Sequence, residues 1–273
     1  MPGGGRLGVP ALCSICFRAM DIHAHEDPTA ERTDAAFWFP GRWIGGLSLV
    51  IGPLLLLAAA LLRIRVHFFY DAQLAAYADH PALITASYSC FVLGCLFLWP
   101  GILTLVRFIG NTHPVLAVWA GMFTILGLMG RVFHGGIDHL AFQLVNVQSL
   151  DAATRAVGDS YQVFHIVRYF NGMMMVGWVL LAIGAYRSGT FGRIRSLALE
   201  SMFFLPLGTL KGTRTESTFL ILGLCVALIP LGFEVLRDGP PPSRRAIMWT
   251  VACVALQVVF IALSVVFPEI MRH

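Results

Sequence analysis

Apolar residues run along this chain in long, nearly unbroken blocks set apart by short polar stretches, unlike a helix with one wet face. Blocks 43–62, 83–109, 115–147 and 161–186 each supply the roughly 20 residues that cross about 30 Å of hydrocarbon as a helix. Two more follow at 219–236 and 246–267. Between them, 194–210 (IRSLALESMFFLPLGTL) is apolar but only 17 residues long, with Glu200 and Pro206 inside it. It reads as a thin seventh span or as a half-helix that turns back. In lipid, backbone N–H and C=O groups find partners most readily within their own helix, so the pattern predicts an all-α polytopic membrane helix bundle of six or seven transmembrane helices. Residues 1–42 read as a polar N-terminal tail, 43–267 as one transmembrane bundle and 268–273 as a C-terminal tail.

Composition sharpens this picture. The chain is 57% hydrophobic and 12% charged, with a mean hydropathy of +0.75, where soluble domains carry about 25% charged residues. That excludes a soluble enzyme, a disordered protein and a nucleic-acid binder. The net charge of +4 comes from scattered loop arginines, not a basic stripe. Arg131 and Arg168 fall inside spans; the other basic residues divide 11 to 6 in favour of the N-terminal side in either span model, which predicts a cytoplasmic N-terminus in the cell membrane. Residues 1–42 lack a signal-peptide pattern and end in an interfacial cluster of Phe37, Trp38, Phe39 and Trp43. Met20, just before the polar stretch HAHEDPTAERTD, reads as an alternative start. Cys13 and Cys16, with His23 and His25, make a sparse zinc-like spacing, while Cys90, Cys95, Cys225 and Cys253 read as small packing residues.

An ionisable side chain inside a span costs at least about 2.5–3.5 kcal/mol and needs a reason to be there. The third span holds the densest set. Arg131, His134 and Asp138 stand at i, i+3 and i+7 on one helical face, with His139 about 100° away and Gly135 and Gly136 beside them. His134 and Asp138 are expected to pair, the carboxylate orienting the imidazole. The fourth span carries Tyr161, His165 and Arg168 on one stripe, followed by Asn171. The two spans are antiparallel neighbours, so the stripes are expected to meet at one depth, opposite the N-terminus. With seven spans, Lys211 and Glu216 join them as substrate-binding candidates; with six, they are remote.

Each residue also has a purely structural reading. His134 and Asp138 can pin two helices, Arg168 can snorkel, Tyr161 can sit in an interfacial belt, and Glu200 can pair with Arg193 or Arg195. The set nevertheless suits general acid–base catalysis without a cofactor: His134 with Asp138 as base and orienter, His165 or Tyr161 as acid, Arg131 or Arg168 stabilising an anion. Isomerisation, epimerisation or cyclisation of a hydrophobic substrate, such as an isoprenoid, lipid or hydrophobic peptide drawn from the bilayer, fits that chemistry. A transporter, an immunity protein or an accessory subunit working with a second membrane protein is the non-catalytic alternative.

The run His134-Gly135-Gly136-Ile137-Asp138-His139 resembles the His-Gly-small-x-Asp motif of bacterial membrane carotenoid-cleaving oxygenases. The resemblance implies an iron-ligand role for His134 and His165. His139, with His113 or Asp138, is the further candidate for iron or another transition metal. In composition the chain is otherwise similar to small multispan proteins of high-GC bacteria.

Overall fold

The computed structural model describes residues 38–161, 165–205, 208–239 and 241–266; the tail with Cys13, Cys16 and Met20, and residues 267–273, lie outside the described residues. Among the described residues, five helices are long and apolar enough to cross a membrane: α1 (Arg42–Leu62), α3 (Pro81–Gly110), α4 (Pro114–Val147), α6 (Arg168–Arg187) and α8 (Thr215–Arg237). Among the described residues there is no strand, and the architecture is an all-α polytopic helix bundle. Three shorter helices complete the order: α2 (Tyr70–Asp79), α5 (Leu150–Ser160) and α7 (Arg193–Glu200). A further helix, α9 (Arg244–Val266), follows α8.

Local sequence explains the boundaries. Pro81 and Pro114 open α3 and α4 at a position whose N–H has no helical partner anyway. Ser149 caps α5 by accepting from the Ala152 amide at 3.2 Å, with Asp151 in the first turn. Small residues set the helix spacing. A Cβ at Gly45 of α1 would overlap Thr104 of α3, and one at Gly94 of α3 would press on Leu56. The helices pack in the order α8, α1, α3, α4, α6, with α7 lying between α6 and α8. The core between them is built on Leu49, Leu98, Ile102, Leu105, Leu181, Leu224 and Leu228, all fully buried.

Three details depart from the sequence reading. The fourth span begins at Arg168, not at Tyr161, because residues 165–170 close three successive i→i−3 bonds, from Arg168 to His165, Tyr169 to Ile166 and Phe170 to Val167. Tyr161 and His165 therefore do not share a helical stripe with Arg168. Stretches expected as loops are the short helices α2 and α5, which close one end of the bundle over a second apolar cluster around Leu74, Tyr77, Tyr88, Phe142 and Leu210.

The third departure is the segment 194–210. It forms neither a continuous thin span nor a half-helix that returns to its own side. α7 and a 3-10 turn at Ser201–Phe204 are followed by non-helical chain at 208–214. Its start lies against the C-terminal half of α8, since Arg195 donates to the Ala227 carbonyl at 3.0 and 3.2 Å and pairs with Glu234 at 3.4 Å, not with Glu200. Its end lies at the far end of α1, where Arg63 donates to Thr213 and the Gly212 amide to the Phe68 carbonyl. The segment thus passes from the Arg42 side of the bundle to the Arg63 side as a broken crossing, which is the order of the seven-span reading.

Candidate functional site

The broken crossing leaves backbone groups without helical partners deep in the bundle, and such groups must be satisfied by side chains. Three consecutive residues are held this way. Arg131 donates to the Gly208 carbonyl at 3.1 Å, the Tyr161 hydroxyl donates to the Thr209 carbonyl at 3.1 Å, and Asp138 Oδ1 accepts from the Leu210 amide at 2.7 Å. Leu210 sits at φ 48°, a left-handed conformation that costs a non-glycine residue about 1–2 kcal/mol. Its side chain is fully buried in the second cluster and its N–H is aimed at the carboxylate, and these two contacts hold the strained corner.

Arg131, His134 and Asp138 do share one buried face of α4, at 7%, 2% and 2% exposure. The expected His134–Asp138 pair is not formed. Asp138 Oδ1 accepts from the Leu210 amide, and His134 turns instead toward His165. Their rings meet edge to face with centroids 5.4 Å apart, and Phe133 lies 5.9 Å from His165. The depth match expected from the two spans is therefore realised through this imidazole pair. Nδ1 of His134, Nδ1 of His165 and Oδ1 of Asn171 are buried without a hydrogen-bond partner. Such orphans are expensive in a native interior, and each needs a reason to be there.

The other candidates divide. His139 turns away onto α3 and its own helix, 3.4 Å from Ser89 Oγ and 2.8 Å from the Gly135 carbonyl. Among the described residues no three His, Cys, Asp or Glu side chains gather as a metal-ligand set, and His139 is not aimed at the His134–His165 pair. His113 stands before Pro114 at the opposite end of α4, with its ring on Thr112 Oγ1 and no capping bond to the helix. Arg168 is exposed at the first residue of α6. Lys211 is half-buried with its ammonium 5.6 Å from the Phe68 ring, and burial together with repulsion from Arg131 and Arg214 holds it below the usual lysine range. Burial, followed by the charge of Asp138, pushes the Tyr161 phenol above its usual range. Glu216 is exposed in the first turn of α8, where a carboxylate suits the helix N-terminus.

Four residues that the sequence did not single out complete the polar centre. Arg63, read as a loop cation, is 6% exposed; its Nε donates to Thr213 Oγ1 at 3.0 Å and its guanidinium lies 4.4 Å from the Tyr88 ring. Tyr88 donates to Gln73 Oε1 at 3.1 Å, and Gln73 in turn donates to the His67 carbonyl at 2.6 Å. No sequence signal separates Arg63 from an ordinary flanking arginine, because its partners come from α3 and from a segment about 150 residues later. The chain matches no protein-family model, no curated protein and no solved structure.

Proposed function

We propose that the chain is a multipass enzyme of the cell membrane, N-terminus in the cytoplasm, that acts on a hydrophobic substrate by acid–base chemistry at His134 and His165. The observation that carries this reading is the imidazole pair itself: two rings 5.4 Å apart, the His134 ring also close to the Gly130 carbonyl one turn back, with the Nδ1 of each ring buried without a well-formed hydrogen bond. Two such groups on adjacent elements can remove a proton at one atom and return it at another, the requirement of isomerisation, epimerisation or proton-started cyclisation. In this reading Asp138, Arg131 and Tyr161 are positioning residues that fix segment 208–210 against α4, and the Arg131 charge also favours a developing anion. Asn171, at the start of α6, offers its orphaned oxygen as a substrate contact. An isoprenoid, lipid or hydrophobic peptide reaches such a site from the bilayer without leaving apolar surroundings.

The broken crossing favours a second reading, translocation, because interrupted spans are a recurring feature of transporter sites. The two readings separate in one experiment. Membranes carrying wild type, His134→Gln or His165→Gln are extracted and compared by mass spectrometry. Catalysis predicts a hydrophobic product isomeric with its precursor in wild type alone. Unchanged extracts, together with substrate flux in proteoliposomes, would replace the enzyme with a transporter.

A further inference from the structure

Two guanidinium groups are buried in the upper part of this bundle, and the charges near them do not balance. Arg63 and Arg131 lie 5.5 and 5.0 Å from the centroid of the same ring, Phe91. The buried carboxylate beside them, Asp138, uses Oδ1 for the Leu210 amide and forms no ion pair within 4 Å; among the described residues the recorded ion pair is Arg195–Glu234, on the other side of the bundle. Arg63 Nε is engaged by Thr213 and the guanidinium faces the Tyr88 ring, but its NH1 is buried with no hydrogen-bond partner. A buried cation with an orphaned N–H is costly to keep, and adding an anion relieves both faults at once.

We propose that Arg63 and Arg131, set around the Phe91 ring, seat the anionic head of the substrate, a phosphate or carboxylate group carried on a hydrophobic tail. The guanidinium fork matches the oxygen geometry of either head, and Arg63 NH1 is the donor left free for it. Lys211 and Arg214 stack over Phe68 at 5.6 and 4.3 Å on the adjoining segment, which adds positive potential where the head would enter. Phe91 and Tyr88 supply an apolar wall for the first carbons of the tail. This inference rests on the reading of the chain as acting on a hydrophobic substrate, and it narrows the class of isoprenoids, lipids and hydrophobic peptides to members with an anionic head.

Binding without turnover tests it. The full chain in a nonionic detergent is titrated calorimetrically with dodecyl phosphate, dodecanol and inorganic phosphate. Wild type is expected to bind one dodecyl phosphate per chain, with dodecanol at least about tenfold weaker. Arg63→Gln is expected to weaken dodecyl phosphate by about tenfold or more, while Arg65→Gln, which removes the same charge from an exposed neighbour, leaves it unchanged. Should Arg63→Gln fail to fold, Arg63→Lys keeps the buried charge but loses the fork, and a several-fold weakening is expected. Displacement by inorganic phosphate would show that a free anion is enough; failure to displace would show that the head is read only on its tail. Equal binding of dodecyl phosphate and dodecanol, or wild-type binding in Arg63→Gln, overturns the proposal. Since no turnover is involved, that result would leave the His134–His165 chemistry standing, and loss of that chemistry would leave this one standing.

Discussion

Asp138 bonds to an amide 72 positions away, on a segment with no helix to satisfy it. Asparagine keeps an oxygen for that amide and alanine does not. Asp138→Ala is therefore expected to lower stability by about 1–3 kcal/mol more than Asp138→Asn, read as thermal unfolding in detergent. Lys211 gives a pH signature. Its folded value lies below the ordinary one, so the folded chain releases that proton earlier than the unfolded chain. Stability gained this way is absent at neutral pH and rises as pH climbs toward the ordinary lysine value of about 10.4. Lys211→Met should be more stable than wild type at pH 7 and should flatten that alkaline rise in melting temperature. The shared face of Arg131, His134 and Asp138 was legible from spacing alone, because helical periodicity places i, i+3 and i+7 together. The approach of His165 was legible too, from the depth match of neighbouring spans, but the bonds to Gly208 and Leu210 were not, since those residues reach the face only through the tertiary path of a broken crossing.

At the scale of elements, α1, α3, α4 and α8 lie within a few residues of their expected bounds, because a run of apolar residues that must cross lipid has few alternatives. The start of α6 and the helices α2 and α5 were hidden for the opposite reason: at the rim of the bundle polar and apolar residues mix, and tertiary contacts decide. Glycine positions give a contrast that tests the α4–α6 packing. A Cβ at Gly127 would lie 2.6 Å from the Met174 Cα, and one at Gly177 would lie 2.6 Å from the Thr124 amide, whereas Gly136 and Gly172 have nothing within 4 Å. Gly127→Ala and Gly177→Ala are expected to cost about 1–3 kcal/mol each, because backbone must move. Gly136→Ala and Gly172→Ala should be neutral or gain up to about 1 kcal/mol from helix propensity. Equal effects at all four would mean that the two helices do not pack through this seam.

For the whole molecule, the decisive feature is the side on which segment 208–216 emerges. The bonds from Thr213 to Arg63 and from Gly212 to Phe68 put it with the end of α1, while Arg42 reaches the Asp238 carbonyl at the end of α8 on the other side. Single cysteines in a cysteine-free background should follow this division. Arg65→Cys and Thr215→Cys are expected to label from one side of the membrane, and Arg187→Cys and Asp238→Cys from the other. Labelling of Thr215→Cys together with Arg187→Cys would remove Lys211 and Arg214 from the site. The arginine distribution, heavier on the Arg42 side, predicts that the Arg187 pair faces the cytoplasm.

The claim that the His134–His165 imidazole pair moves a proton on a hydrophobic molecule is tested most directly by solvent deuterium. Proteoliposomes in heavy water, supplied with the hydrophobic extract of cells that make the protein, are analysed by mass spectrometry for carbon-bound deuterium. Wild type is predicted to place a deuteron in its product, and His134→Gln and His165→Gln to lower that incorporation by about a hundredfold or more while staying folded. Product formed without deuterium, or formed at the wild-type rate in both variants, would contradict the account.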